Sequence, residues 1–559
     1  MSSGARLKVT PLGGSGEIGK SMMVVELRGD LVVIDCGCKF PEEEMRGIDL
    51  IIPDVTYLQQ HRSRMRGFLI THGHEDHIGS IAYVLNQLEE IAPIPVYGSP
   101  LALAFVRSKL EEAENTDLAR LIEIEPDKIY PIGHEFEAEF IPVTHSIPGS
   151  MAISLNSEVG RLIHTGDFKF DRTPPLGPAT DEQRFRELGA EGVLVLFSDA
   201  TRIETPGRTP TEQVVAGTLV RVIGDAPGRI LLASFASNIS RLYQAIDAAT
   251  RHGRKVGVVG RSMENSVRIA QELGYIDDPE GVIRPLQEVV RFPDREILIL
   301  TTGSQGEAGA ALSRMASGDH PTLSVREGDT VVLSATPVPG NEETVSQTIN
   351  NLFRLGARVI YSAIEPSIHV SGHAAREELK HLIHILNPRF VAPIHGETRH
   401  LHLYREMAVE ADVPHANIII PESGRPISLS QEDWGFEREV QHGAVLVDAM
   451  GRDRYRNVVL RNSDSLADAQ VIIVTLAVDL DQGILIAGPE LTGKGFDDRA
   501  SQRLLNDAQA DLARFLERSL RRGNMSYGYL VSRVKGIVAS YVFKRAQIRP
   551  MILPVVTEF

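Results

Sequence analysis

Along the first 200 residues the apolar positions fall into short runs punctuated by Gly, Pro and Asp. They predict strands at 22–27, 31–35, 67–70, 95–97, 141–143, 161–164 and 192–197. Helical spacing intervenes at 81–90 and 101–112. From about 205 to 362 the texture becomes a regular alternation. Strands are expected at 229–234, 255–260, 296–302, 330–335 and 358–362, with helices such as 238–250 and 342–355 between them. That alternation marks a parallel sheet with helices outside it. Beyond it come a helix at 374–386, a strand at 389–394 and a linker at 423–458. A last α/β segment carries strands at 471–478 and 483–488 and a helix at 499–522.

Length and composition set the frame for this pattern. A chain of 559 residues has room for roughly three to four domains of about 150 residues. No apolar run reaches the roughly 18 residues that suggest a membrane helix. The opening MSSGARLKVT has no apolar core of a secretory signal, so a cytoplasmic protein is expected. Cys36 and Cys38 are the only cysteines. A CxC pair closes no ordinary disulfide, and packing at a strand end is their expected role. The glycines of Gly14-Ser15-Gly16-Glu17-Ile18-Gly19 match a nucleotide fingerprint, but a strand rather than a helix follows, so they read as a tight loop.

A net charge of −16 seems to disfavour a polyanionic partner, yet the charge is unevenly spread. Residues 460–559 balance at +2. Between Arg514 and Arg549 the basic residues Arg514, Arg518, Arg521, Arg522, Arg533, Lys535, Lys544, Arg545 and Arg549 face the single acid Glu517. Such a stretch can steer a polyanion, or it can be a solvated helix face or a subunit contact. Self-association is the role expected first for this segment, with contact to a polyanion second.

The strongest chemical signal is Thr71-His72-Gly73-His74-Glu75-Asp76-His77, which follows a buried-strand pattern. Four metal ligands in so short a span point to a bound cation, because unpartnered buried imidazoles and carboxylates are costly. His145, Asp167 and His395 follow further strand patterns and raise the set to seven. Two cations need about four to five donors each, and Asp167 is the natural shared carboxylate. Loops of small hydroxyl residues and glycines end the strands of the alternating block, at 234–238, 302–307 and 334–337. Their backbone N–H groups suit phosphate.

Asp35, the HxHxDH run, His145, Asp167 and His395 are similar to the motif series of the metallo-β-lactamase fold. The inserted alternating block resembles the β-CASP domain of nucleic-acid-processing members. Asp199, His373 and His395 match that branch's three motifs. GEIGKSMMVVE, PEEEMRGIDLIIPD, THGHEDHIG, HTGDFKFD, SFASN, TTGSQGE, SATPVPGNE, HVSGHA and PIHGE together look like bacterial ribonuclease J over essentially the whole chain. Cys36-Gly37-Cys38 departs from the Gly or Ala expected there. The resemblance implies an α/β protein: a metallo-β-lactamase αββα sandwich (1–204 and 356–422), an inserted β-CASP parallel α/β domain (205–355), a linker (423–458) and a small C-terminal α/β domain (459–559).

It also implies roles. His72, His74 and His145 would hold one ion and Asp76, His77 and His395 the other, with Asp167 between them and Asp35 behind. The ions would be Zn2+ or Mn2+. Asp76 would help to orient the nucleophile. His373, held by Asp199 and near the ordinary pKa of about 6.5, would protonate the leaving 3′ oxygen. Ser234, Phe235, Ser237, His369, Val370, Ser371, Gly372 and His373 match the family's pocket for a terminal phosphate, with Phe235 available to stack on a base. For His369 and Ser371 the alternative is a helix cap. Gly47, Asp49 and Asp448 resemble positions of an additional structural cation. His164 reads by default as a surface or hydrogen-bonded histidine, with a place behind the ligands as the alternative. The implied activity is RNA hydrolysis, both 5′→3′ from 5′-monophosphate ends and internal, in rRNA processing and mRNA decay. RNA, a second copy of the chain in a dimer or tetramer, and other RNA-decay proteins are the implied partners. The competing readings are a DNA-directed nuclease, a small-molecule ester or lactone hydrolase, and a non-catalytic RNA-binding subunit.

Overall fold

The computed structural model describes residues 5–41, 45, 48–307, 309–318, 320–338, 340–449, 458–462, 471–480, 482–494, 499–520, 527–546 and 550–558. The chain forms two compact units, one of residues 1–39 with 55–442, the other of 40–54 with 443–559. Among the described residues no helix is long and apolar enough to cross a membrane.

Two sheets face each other in the larger unit. The first orders its eight strands as Trp434–Phe436, Ile427–Leu429, Leu7–Gly13, Met22–Leu27, Asp30–Ile34, Met65–Leu69, Ile94–Gly98 and Ala119–Glu123. The second runs Phe390–Ile394, Val195–Asp199, Leu162–His164, Met151–Asn156, Phe136–Pro142 and Ile129–Ile132. Alternate residues point to opposite faces of a strand. Val9, Val25, Val32 and Leu69 from one sheet therefore meet Phe140, Ile153, Phe197 and Phe390 from the other in a single core. The opposite face of the second sheet, through Ile163, Leu196 and Val391, takes Phe185, Leu188, Leu379, Leu382, Tyr404 and Met407 from helices Glu182–Glu191, Arg376–Leu386 and Thr398–Glu410.

The alternating block forms a five-stranded parallel sheet in the order Lys255–Val259, Ile297–Thr301, Ile230–Ala233, Thr330–Leu333 and Arg358–Ile360. Its strands are continuous hydrophobic runs because helices cover both faces. Leu232, Leu298, Leu300 and Val332 pack on one side against helices Gln213–Asp225, Ile239–Arg251 and Arg261–Glu272. Leu231, Ile299, Val331 and Leu333 pack on the other against Ala311–Ala316 and Glu342–Arg354. Each of these fully buried Leu side chains contributes roughly 1.5–3 kcal/mol.

Two expectations change. Residues 423–458 do more than link: Ile427–Leu429 pairs with Leu7–Gly13, and Ile427 and Leu429 are fully buried in the sandwich core. Three-residue strands are too short to show a period, which is why the pattern hid them. Residues 40–54, expected within the first domain, belong to the smaller unit, where Leu50–Pro53 pairs with Ala444–Ala449. That unit also has a three-stranded sheet of Ile484–Lys494, Val471–Asp479 and Met551–Glu558. Helices Arg499–Leu520 and Tyr527–Ala546 cover it, and only the first of them was expected.

Candidate metal centre

All the candidate ligands follow strand ends on one rim of the sandwich. Ile34 lies opposite Leu69, His164 opposite Phe197 and Asp199 opposite Ile394, so the loops that follow these residues converge. His74 leads into the one-turn helix Glu75–Ile78, which carries Asp76 and His77. The Cys36-Gly37-Cys38 segment clamps that turn. Cys36 N–H donates to His77 O at 2.7 Å and Cys38 N–H to Glu75 O at 3.0 Å. A Cβ on Gly37 would lie 1.6 Å from the Asp76 carbonyl, so only glycine fits. Both cysteines are buried, and burial pushes the Cys36 thiol up to about 12, so it packs as a neutral side chain.

The hydrogen bonds fix which ring nitrogen each histidine turns inward. Thr71 Oγ1 donates to Asp35 Oδ2 at 2.8 Å and so accepts from His72 Nδ1 at 3.0 Å. His77 Nδ1 donates to Asp35 Oδ2 at 2.7 Å. His145 Nδ1 faces the Gly372 carbonyl at 2.8 Å, where it can only donate. Each of these rings therefore presents a bare Nε2 when neutral. His72 Nε2 and His145 Nε2 lie 3.1 and 3.2 Å from His74 Nδ1, and Asp167 Oδ2 lies 3.6 and 3.7 Å from the same two Nε2 atoms. One proton on His74 cannot satisfy both lone pairs; a shared cation can.

The second group is built alike. His77 Nε2 lies 3.4 Å from Asp167 Oδ2 and 3.8 Å from Asp76 Oδ2, and His395 Nε2 lies 3.1 Å from Asp76 Oδ2. Thr201 Oγ1 donates to the His395 carbonyl at 2.7 Å and stands 2.9 Å from His395 Nδ1. Donor atoms of His72, His74, His145 and Asp167 all lie within 4.8 Å of one another, as do those of Asp76, His77, Asp167 and His395. Among the described residues Asp167 Oδ1 and His77 Nε2 are buried without a well-formed hydrogen bond, His395 Nδ1 lying 3.5 Å from the first and Asp167 Oδ2 3.4 Å from the second. Such orphaned donors, histidine-rich on one side and mixed histidine and carboxylate on the other, fit two divalent cations.

Electrostatics agrees with this fit for the histidine-rich group, while His77 and His395 beside the carboxylates are raised instead. Burial holds His72 and His145 well below the ordinary imidazole range and His74 at about 4, so all three rings are neutral and ready to ligate. Burial acts against charge on His77 too, but the carboxylates of Asp167, Asp35 and Asp76 outweigh it and raise its pKa.

At the rim, His373 Nδ1 lies 2.8 Å from Asp199 Oδ2, and its ring is 5.0 Å from that of His145 and 5.8 Å from that of His395. Its pKa departs from the expected 6.5. Burial works against protonation, but the Asp199 carboxylate, aided by Asp167 and Asp76, brings the value up to about 9.

The phosphate-pocket candidates divide between two loops. Ser234 follows a strand of the parallel sheet, with Phe235 and Ser237 half-buried in the turn before Asn238, which caps helix Ile239–Arg251. His369, Val370, Ser371, Gly372 and His373 form one loop. Ser371 Oγ accepts from the His373 N–H at 3.1 Å, Val370 packs into the core, and Gly372 abuts His145. Among the described residues Ser234 Oγ and His369 Nδ1 are buried without a hydrogen-bond partner. His164 is buried and lines a small void with Ser21, Asp35, His77 and Asp167.

In the smaller unit, Asp49 N–H donates to Val447 O at 2.9 Å, and its carboxylate lies 3.7 Å from Lys535 Nζ, so a cation already faces it. Gly47 and the Asp448 side chain lie outside the described residues, as do Arg521, Arg522 and Arg549. Arg533 and Arg545 lie over the rings of Phe515 and Tyr541. Sequence reasoning missed Thr71 and Thr201, the hydroxyls that orient the imidazoles of His72 and His395. Their position beside a ligand motif or after Asp199 was the available signal.

Four family models match the chain. They are described as "Metallo-beta-lactamase superfamily" (residues 16–249), "Ribonuclease J, beta-CASP domain" (227–352), "Zn-dependent metallo-hydrolase RNA specificity domain" (357–421) and "Ribonuclease J C-terminal domain" (458–559). Ribonuclease J2 of Bacillus subtilis (strain 168) is 35% identical over 99% of this chain and 98% of its own. Ribonuclease J of Thermus thermophilus is 39% identical over 99% and 95%. The protein of that name from Synechocystis is 41% identical over 90% and 77%. A crystal structure of a protein of unknown function from Enterococcus faecalis V583 shares the fold, with a TM-score of 0.54 and 18% identity over 76% of this chain and all of that one.

Proposed function

The chain belongs to the ribonuclease J family of metallo-β-lactamase-fold hydrolases, and from that premise we propose a ribonuclease with two divalent cations per subunit. It hydrolyses RNA phosphodiesters 5′→3′ from 5′-monophosphate ends and also cuts internally. It acts in the cytoplasm, in RNA maturation and decay. His72, His74, His145 and Asp167 would hold one cation and Asp76, His77, His395 and Asp167 the other. The histidine-rich set suits Zn2+, and the mixed set also accepts Mn2+. When bound, the ions supply Lewis acidity at the phosphoryl oxygens.

The protein's own groups do the remainder. Asp35 and Thr71 keep the rings oriented, and Asp76 orients the attacking water. A new bond forms between the water oxygen and phosphorus while the bond from phosphorus to O3′ breaks; the water releases one proton to solvent, from which His373 is later reprotonated, and keeps the other on the new phosphate. The proton on His373 passes to that departing oxygen, with Asp199 stabilising the imidazolium beforehand. The products are a 5′-phosphate and a 3′-hydroxyl. Ser234 and His369 offer unpaired polar atoms to a terminal phosphate, and Phe235 offers a face for a base. Self-association through residues 460–559 completes the reading.

The observation that carries it is the Asp199–His373 pair, 2.8 Å apart at the rim of the donor cluster. A poor leaving group such as a ribose 3′ oxygen needs such an acid; an activated ester does not. The deciding experiment digests internally labelled RNA bearing a 5′-monophosphate beside the same RNA with a 5′-triphosphate. Zinc, manganese and magnesium are supplied in turn, with Asp76→Ala as control. Mononucleotides released from the monophosphate end and lost in the variant are expected. Equal rates on matched DNA would remove the RNA assignment, and no metal-dependent cleavage would favour a small-molecule hydrolase.

A further inference from the structure

Between the loop that follows Asp167 and the loop that carries His369 runs a network of charges sealed from solvent. Lys169, Glu212 and Arg241 are 0% exposed. Lys169 Nζ lies 3.3 Å from Asp171 Oδ2 and 3.9 Å from Glu212 Oε1. Glu212 Oε2 accepts from Arg241 Nη2 at 3.0 Å. Arg241 Nη1 then donates to the carbonyls of Ser334 and Ile368, each at 3.2 Å, and to Ser334 Oγ. Ser334 Oγ donates onward to Ile368 O at 2.6 Å, and the Ser334 carbonyl also meets the His369 ring. The contacts start two residues past Asp167 and end on His369 and the residue before it.

Stability alone is a weak reason for this network, because well-packed apolar side chains in place of a buried ion cluster are often as stable or more so. Geometry suggests another. Ser334 and Ser234 follow adjacent parallel strands, and among the described residues Ser234 Oγ and His369 Nδ1 are buried and left unpaired. Burial, together with the nearby cations Arg241, Lys169 and Arg202, also keeps His369 neutral, at about 3. With the ring donating to the Ser334 carbonyl, the bare Nδ1 can accept from the P–OH of a phosphate monoanion, and the surrounding positive field suits that anion.

We propose that Arg241 and Ser334 are positioning residues: acting through the Ile368 carbonyl, they set His369 against the 5′-terminal phosphate of the RNA. End recognition is thereby tied to the Lys169 loop beside the metal centre. This inference rests on the pocket reading given under the proposed function.

The test compares the purified full-length protein with Ser334→Ala and Arg241→Met. Two rates are read: mononucleotide release from 5′-monophosphate RNA relative to 5′-hydroxyl RNA, and internal cleavage of a circular RNA that has no ends. Wild type is expected to prefer the monophosphate. Ser334→Ala, which leaves every charge in place, is expected to lose about tenfold of that preference with circle cleavage unchanged. Arg241→Met should lose more where thermal melts show it folded. A parallel fall of both rates in Ser334→Ala would mean a structural role only and would overturn the proposal, as would an unchanged preference. A wild type that itself ignores the 5′ group would instead refute the pocket reading, and this inference with it.

Discussion

His145 Nδ1 donates to the Gly372 carbonyl at 2.8 Å, joining a candidate metal ligand to the loop that carries His369 and His373. The bond turns His145 Nε2 toward Asp167. It also leaves no room at residue 372, because a Cβ there would lie 2.6 Å from His145 Nδ1. Gly372→Ala must therefore displace the ring or the loop. A fall of about 10–100-fold in metal affinity or cleavage is expected, the range for loss of an orienting partner. Titration of zinc or manganese beside an RNA cleavage assay checks it, and wild-type values in both would show that the ring has slack.

Asp35 has φ 61°, a left-handed backbone that Asn tolerates better than most residues. Asp35→Asn thus isolates the charge. The variant keeps its shape but loses the carboxylate that accepts from Thr71 N, Thr71 Oγ1 and His77 Nδ1 at 2.8, 2.8 and 2.7 Å. Metal retained after dialysis is expected to drop, with affinity weakened about 10–100-fold. Retention equal to wild type would mean that Asp35 serves the backbone alone.

His373→Ala should cost about 10²–10⁴-fold on RNA, the usual worth of a positioned general acid. The loss should be far smaller on a p-nitrophenyl phosphodiester, whose leaving group needs no proton. An equal loss on both substrates would assign His373 to structure or to metal binding instead.

The metal cluster was legible in the sequence because HxHxDH packs four donors side by side, and because His145, Asp167 and His395 each follow an apolar run. The fold class was legible for a related reason: the alternation at 205–362 holds local period and turn chemistry together. Other features leave no local trace. Arg241 meets Glu212 and Ser334 only after the parallel sheet has formed, and nothing adjacent to any of the three marks the pairing. Ile427 and Leu429 needed Leu7–Gly13 as a partner before their three residues counted as a strand. The Asp199 contact that raises the pKa of His373 spans 174 residues and leaves no local trace either.

Asp30 gives a prediction on stability. It is 1% exposed, and its carboxylate accepts from Arg66 Nε at 2.5 Å, from Glu135 N–H at 2.9 Å and from His134 N–H. Burial alone would raise its pKa, but these donors outweigh burial and lower it below 3.8. The stability it contributes is therefore complete above that value and is lost as pH falls through the folded-state pKa. Asp30→Asn should cost about 1–3 kcal/mol at neutral pH. Its melting-temperature deficit should shrink below about pH 4. A deficit independent of pH would assign the effect to shape.

The last prediction concerns assembly. In the three-stranded sheet of the smaller unit, alternate residues face helices Arg499–Leu520 and Tyr527–Ala546, and the intervening ones face outward. Outward positions of a one-sided sheet are ordinarily polar. Here Ile473, Ile486 and Val555, one on each strand, are 40%, 50% and 39% exposed. Covering what remains exposed of each is worth about half of the roughly 1.5–3 kcal/mol for a whole side chain, which suits a contact between copies of the chain. Truncation near residue 455 is a poor test, because it would strip Met551 from Ile48, Ile51 and Leu446. The double variant Ile473→Glu, Ile486→Glu leaves the helix-facing core intact. It is expected to weaken self-association at least about tenfold in sedimentation velocity, with an unchanged circular dichroism spectrum. Assembly equal to wild type at every concentration would remove this face from the interface.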